Sequence, residues 1–480
     1  MTKRQAATPA PGPLETYTTE FDDLFERRNA REAFRRYLEG LLLPAERNKT
    51  LTALANAEPI VGIHAPRVQS LQWFLSESTW DAAALNARRV ELLRQDPATA
   101  PDEGGVLVID ETGDRKWGSK TAHIGRQYLG SIGKVDSGIV SVSALWADDR
   151  VYWPLSVEPF TPKHHFARGM NDPAYRTKPQ IAVELVQQAV ADGLPFRAVV
   201  ADSFYGENET FRTGLVQLGV GYVLALRPSH AWWALVDQIN SLHEAARTAR
   251  WAGPAAPGDW HVVERRFRDG HTEVWWALEI RVGPYGPHRR ERAVVATTDP
   301  AMLPEHTTWY LLTNLPASAS DRASQVNLPA ADLTEIVRLY GLRNWVEQSY
   351  KQIKAALGWS TYQVRSDRAI RRHWALVWCA FSFCWWTDGE VALADSPGQP
   401  PPPRVLDEEP PARGENQPRV TPGTSARGDM ADATATGARL VGTLGHAQAL
   451  LARLVHTAPA VTTPGAPRCA RTRTADRPLC

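Results

Sequence analysis

The alternation of apolar and polar positions divides the chain into segments of different texture. From about residue 16 to 97, apolar residues recur at helical spacing, as in "EFDDLFERRNAREAFRRYLEGLL", which predicts a helical N-terminal region. At "GGVLVIDETG" the pattern becomes a short unbroken apolar run, Val106 to Ile109, expected of a strand buried on both faces and ending in Asp110. "GIVSVSALWA" and "RVYWPLSVEPF" read as a hairpin joined at Asp148-Asp149. "TKPQIAVELVQQAVADG" reads as a helix, with a Thr177/Gln180 capping box, Pro179 in its first turn and Gly193 at its end. "FRAVVAD" is a second buried strand, ended by Asp202; "ENETFRTGLVQLG" and "GYVLALR" follow as helix and strand. Antiparallel strands followed by strand–helix–strand–helix–strand predict a mixed α/β sheet.

The same texture sets the expected boundaries. Residues 1–15 are Pro/Ala/Thr-rich and expected to be disordered; 16–97 are helical; 98–227 carry the first part of an α/β core. Residues 228–327 interrupt that rhythm with a β-rich insertion, including a hairpin turning at Asp269-Gly270. Residues 328–389 return to helices that complete the core. Residues 390–480 form a Pro-rich tail, expected to be mostly disordered.

One helical segment has an unusual polar face. In "YGLRNWVEQSYKQIK", Tyr340, Arg343, Glu347 and Lys354 fall on a stripe roughly 60° wide at about 100° per residue, if the helix runs unbroken through Gly341. Leu342, Trp345, Val346, Ile353 and Ala356 take the other side. A polar stripe is ordinarily a solvated face. This one places a single acid between two cations, and two further acids, Asp110 and Asp202, end buried strands.

Composition narrows the class. A formal net charge of +1 leaves any nucleic-acid contact to local basic clusters. Four cysteines without metal-site or C-x-x-C spacing fit a reducing compartment. The N-terminus has no apolar core of a secretory signal, and the apolar run after Arg372 is too short to span a bilayer, so a cytoplasmic protein with no membrane partner is expected. Three acids on separate elements suit a hard divalent cation such as Mg²⁺. Two such ions could serve both the attacking and the leaving oxygen of a phosphodiester. Arg, Lys and Tyr beside them could bind the phosphate backbone.

In order along the chain, "VLVIDETG", "GRQYLGSIGKV", "TKPQIAVELV", "VVADSFYG" and "YGLRNWVEQSYKQIK" followed by "LGWSTYQVRS" resemble a DDE transposase of a bacterial insertion sequence, in the branch with the Tyr-x2-Arg-x3-Glu-x6-Lys signature. The resemblance covers roughly residues 20 to 385. It implies an RNase H-like mixed sheet flanked by helices, often with a β-rich insertion before the last acid. Residue by residue, it implies that Asp110, Asp202 and Glu347 are the catalytic acids binding two Mg²⁺ (or Mn²⁺) ions. Tyr340, Arg343 and Lys354 correspond to DNA contacts near the cleaved strand.

The implied reaction is cleavage and joining of double-stranded DNA at terminal inverted repeats and a target, by cut-and-paste, in a homodimeric synaptic complex associated with the nucleoid. Of three basic clusters, the one with Arg365, Arg368, Arg371, Arg372 and His373 adjoins the signature helix, so Arg365, Arg371 and Arg372 are further DNA-contact candidates. Trp232, Trp233, Trp275 and Trp276 are candidates for stacking on a base. The alternative function is a catalytically silent, transposase-derived DNA-binding protein or repressor. A paired-carboxylate glycosidase would leave the Arg/Lys stripe without a purpose.

Overall fold

A computed structural model describes residues 5–10, 12–43, 49–55, 66–230, 241–267, 271–280, 291–305, 307–318 and 327–394. Helices α1 (Pro13–Thr19), α2 (Arg28–Leu42), α3 (Leu51–Leu54), α4 (Pro66–Ser76) and α5 (Ala82–Gln95) form the N-terminal region. Residues 5–15, expected to be disordered, are in part ordered by packing. Thr8 donates to Glu32, the Gln5 carbonyl accepts from Arg31, and Pro13 opens α1 with Leu14 fully buried.

The strands are β1 (Val106–Arg115), β2 (Gly125–Leu129), β3 (Lys134–Ala147), β4 (Tyr152–Pro159), β5 (Ala198–Ala201), β6 (Tyr222–Ala225), β7 (His261–Arg266), β8 (Thr272–Ile280), β9 (Arg292–Thr297) and β10 (Thr308–Thr313). They make one ten-stranded mixed sheet in the order β2-β3-β1-β5-β6-β10-β9-β8-β7, with β4 also on β3. Pairing of β1 with β5 and of β5 with β6 is parallel, while β3 pairs antiparallel with β1 and β4. This is the mixed α/β sheet flanked by helices that the pattern predicted, consistent with an RNase H-like fold. Val106 to Ile109 and Ala198 to Ala201 are fully buried, as unbroken apolar runs in central strands require.

Two features differ from the sequence reading. Strand β1 does not end at Asp110; it continues to Arg115, paired residue by residue with β3. The β-rich segment does not stand apart either. Its strand β10 pairs antiparallel with β6, Leu311 opposite Ala225, so β7 to β10 extend the same sheet. The turn at Asp269-Gly270 lies outside the described residues, although β7 and β8 pair as that hairpin requires.

Helices α6 (Lys178–Ala191), α7 (Ser203–Gly206), α8 (Glu209–Gln217) and α9 (Leu242–Thr248) follow the sheet's chain order. The capping box of α6 forms as expected: Thr177 accepts from the Gln180 amide, and Gln180 accepts from that of Thr177. Gly193 takes the left-handed conformation (φ 62°) that ends the helix.

Helices α10 (Leu333–Gly341), α11 (Asn344–Ala355) and α12 (Asp367–Ala394) complete the core. The apolar run of α12 is buried on every side because the N-terminal helices wrap it. Tyr17 donates to the Cys379 carbonyl, Tyr37 meets His373 at 2.8 Å, and Trp385 donates to the Tyr152 carbonyl. Among the described residues no helix is long and apolar enough to cross a membrane. The tail from residue 395 lies outside the described residues.

Candidate active site

Parallel pairing sets the first two acids side by side. Ile109 pairs with Ala201, and the next residue on each strand is Asp110 and Asp202. Asp110 is buried on β1. Asp202 follows β5 and caps the short helix α7, its Oδ1 accepting from the amides of Phe204 (3.1 Å) and Tyr205 (3.4 Å). Strand alternation turns Asp110 and Asp114 toward α11, and Glu111 toward α6. The contacts follow that division: Arg343 and Lys354 reach the first pair, and Lys178 reaches Glu111 at 2.8 Å.

The signature segment is not one helix. Gly341 ends α10, and α11 starts at Asn344. Across the break, the amides of Arg343, Trp345 and Val346 bond to carbonyls three residues back, a tighter winding than α-helix. The expected unbroken stripe is therefore corrected. Tyr340 leaves it and is buried edge-on against Trp309 at 5.0 Å, while Arg343, Glu347 and Lys354 stay together.

A distant strand packs against the break. Arg265 of β7 sits over the rings of Phe267, Trp275 and Trp309 at 4.6–4.7 Å. A Cβ on Gly341 would stand 2.8 Å from its Nη2, so the end of α10 packs closely against this stack.

The break aims Arg343 inward. Its Nη2 donates to Asp110 Oδ2 at 2.8 Å, and its Nη1 lies 3.4 Å from Glu347 Oε1. The side chain of Glu347 is 67% exposed. Burial above all pushes the Asp110 carboxyl up to about 7, with Asp202 and Glu347 adding repulsion, against the pull of Arg343 and the Glu111 amide. Burial likewise raises the Tyr340 hydroxyl to about 12, and that hydroxyl also feels Asp202, Asp110, Glu347 and Arg343. Lys354 donates to Asp114 (2.8 Å) and to the Gly113 carbonyl (3.1 Å), tying α11 to β1.

These distances bear on metal binding. The donor chemistry fits a hard divalent cation, since it consists of carboxylates from three elements whose charges already act on one another. Close convergence on one point, expected for shared coordination, is not what the structure has. Among the described residues no group of three acid, His or Cys side chains is gathered tightly enough to hold an ion. The Arg343 guanidinium bridges Asp110 and Glu347 and supplies the positive charge between them.

Other candidates are placed elsewhere. Arg372 is corrected as a DNA contact, and Arg371 is held in ion pairs within the fold. Arg371 forms a two-point ion pair with Glu158 (2.6 and 2.7 Å) and another with Asp367 (2.7 Å). Arg372 is buried, donating to the carbonyls of Leu75, Ser78 and Trp80. Arg365 has an exposed side chain. Trp275 and Trp276 are buried in the β-rich part of the sheet, which leaves neither available to a base, and Trp232 and Trp233 lie outside the described residues.

Sequence reasoning gave no role to Lys178, Glu111, Asp114 or Tyr350. Tyr350 meets Ser143 at 2.6 Å beside Asp110, and Lys178 stands 5.4 Å from the Phe204 ring. The available signal was alternation along β1, which sends successive acids to helices on opposite faces.

The profile of the DDE superfamily endonucleases matches residues 20–280, a span that includes Asp110 and Asp202. The chain belongs to that superfamily. It is also similar to a probable transposase for insertion sequence element IS701 from Microchaete diplosiphon, at 34% identity over 368 residues, 76% of this chain and 85% of the relative. The motif-based resemblance to a DDE transposase of an insertion sequence is thereby borne out, and with it the expectation of a nuclease-type enzyme. Endonucleases of this superfamily generally use divalent metal ions.

Proposed function

We propose that this chain is the transposase of an insertion sequence, cleaving double-stranded DNA at terminal inverted repeats and joining it to a target by cut-and-paste, as a homodimer in the synaptic complex. Asp110, Asp202 and Glu347 are the catalytic acids and would hold Mg²⁺ or Mn²⁺, as two ions. When bound, such ions activate the attacking oxygen and stabilise the leaving one. Asp202 is held for this by the two amides of α7, and Asp110 by its place in a central strand. Arg343, Lys354 and Tyr340 position the DNA backbone near the cleaved phosphate, with Arg365 as an outer contact. A guanidinium suits a phosphate because it can donate two parallel hydrogen bonds.

The observation that most supports this reading is the charge arrangement around Arg343. One strand acid and one helix acid share its guanidinium, and the proton affinity of that strand acid is raised by burial first and by the second strand acid after it. The guanidinium already gives these acids the positive charge that a bound metal ion would take over.

Strand cleavage of DNA carrying the element's inverted repeats, with and without Mg²⁺, tests the function. The intact protein is expected to nick at the element's ends only with metal. Glu347→Ala is expected to abolish cleavage while end binding stays nearly intact. Undiminished cleavage would remove Glu347 from the site, and binding without any nicking by the intact protein would leave a DNA-binding function alone.

A further inference from the structure

The end of the sheet beyond the candidate site carries an exposed face that the proposed chemistry does not use. Strand β1 runs past Asp110 to Arg115, and β2 pairs with the first residues of β3 as a two-stranded ribbon, Tyr128 opposite Val135 and Arg126 opposite Ser137. Trp117 is 78% exposed, Tyr128 56% and Val135 53%. Tyr128 and Val135, a cross-strand pair, share one side of the ribbon with Arg126, and Lys134 lies on its other side at the tip, so the open side chains mark a ribbon that another molecule straddles.

Charge identifies the kind of molecule. Residues 113–138 hold five Lys/Arg (Arg115, Lys116, Lys120, Arg126, Lys134) and two acids (Asp114, Asp136) in a chain whose total is +1; of the five, Lys116 is turned inward, donating to the Ser360 and Tyr362 carbonyls at 2.8 and 3.0 Å. Both acids are engaged internally, Asp114 by Lys354 at 2.8 Å and Asp136 by Arg115 at 3.1 Å. Arg115 also lies over the Trp117 ring at 4.1 Å, so an aromatic face and a cation are presented together. Among the described residues no carboxylate engages Lys120, Arg126 or Lys134. A second copy of this chain, near neutral overall, offers this face little electrostatic attraction. A polyanion does.

We propose that this ribbon and the neighbouring Trp117 loop form a second DNA contact, which grips the backbone of the duplex bound for cleavage. The inference rests on Asp110 marking the cleavage point. Lys354 fastens the start of the ribbon to α11 through Asp114 and the Gly113 carbonyl, so both surfaces belong to one rigid unit. Five residues of strand separate Asp110 from Arg115, roughly 17 Å at about 3.3 Å per residue. Along B-form DNA that is about five base pairs from the cleaved phosphate.

Hydroxyl-radical footprinting and salt-dependent binding of the full chain on a duplex carrying the element's end test this. Arg126, opposite Ser137, and Lys134 lie six and nine residues along β3 from Ser143, the partner of Asp110, so the intact protein should protect the backbone roughly six to nine base pairs from the cleavage point. Arg126→Ala/Lys134→Ala should remove that protection and flatten the slope of log K against log salt by about 2, one contact per lost charge. Trp117→Ala should weaken binding several-fold and Trp117→Phe should restore most of it, with melting temperatures unchanged because the side chains are exposed. Unchanged protection and salt slope in the double variant overturn the proposal. So does a variant whose self-association falls while DNA binding holds, since the face would then be a contact between copies. Failure of the intact protein to nick would count against the catalytic reading instead, because footprint and slope are read without cleavage.

Discussion

Arg343 joins the break between α10 and α11 to the middle of strand β1 by donating to the Asp110 carboxylate across 2.8 Å. The same guanidinium lies 3.4 Å from Glu347, so it serves as an internal counter-ion for two of the three proposed metal ligands. A cation that binds these carboxylates must take over that role.

Arg343→Gln is therefore expected to bind Mn²⁺ several-fold more tightly than the intact protein while cleaving DNA about 100-fold more slowly, a loss typical of removing one charge-stabilising donor. Metal-dependent shifts in melting temperature and single-turnover cleavage measure the two effects separately. Weaker Mn²⁺ binding would mean that the guanidinium orients the carboxylates instead of competing with the metal.

Asp110 gives a pH dependence of definite sign. Its carboxyl stands at about 7 in the folded protein against 3.8 as the ordinary value, because burial disfavours the charge. Below 3.8 both folded and unfolded chains are protonated there, and the group contributes no pH-dependent loss. Between those two values the unfolded chain ionises first, so folding stability falls as pH rises, then levels off above about 7. Asp110→Asn removes that loss. Without metal, the variant should melt at the same temperature as the intact protein near pH 4 and above it at pH 8. At about 1.4 kcal/mol per pKa unit, the gain is on the order of a few kcal/mol. Excess Mg²⁺ should narrow the gap at pH 8 by stabilising only the intact site. A gap that widens toward low pH would contradict the buried, proton-rich Asp110.

Much of this was legible locally. The buried stretches of β1 and β5 that lead into Asp110 and Asp202 show as unbroken apolar runs, and the capping box of α6 shows because its partners are three residues apart. The features that escaped depend on distant residues. Within "YGLRNWVEQSYKQIK" Gly341 marks where a break could fall, but not that α10 ends there and packs against Arg265 on β7. Nor could the 228–327 segment announce that β10 would pair with β6, since edge pairing is settled by tertiary contact. The basic cluster after residue 364 looked like a surface run because its partners, Glu158 and the carbonyls of 75, 78 and 80, lie over 200 residues away.

That cluster yields a separation of roles within eight residues of sequence. Arg372 satisfies three backbone carbonyls in a buried setting and lies over the Trp80 ring at 4.7 Å. Truncation leaves those carbonyls without donors and opens a cavity, so Arg372→Ala should destabilise the chain by about 2–4 kcal/mol. DNA affinity per folded molecule should not change. Arg365 is exposed, and among the described residues only its backbone is engaged, its carbonyl accepting from Ala122. Arg365→Ala should leave the melting temperature within about 1 °C, as surface substitutions do, and lower DNA affinity with a salt slope reduced by about 1. Chemical denaturation beside salt-dependent DNA binding separates the two. If Arg372→Ala folds normally and loses DNA instead, the inward-facing assignment of Arg372 fails.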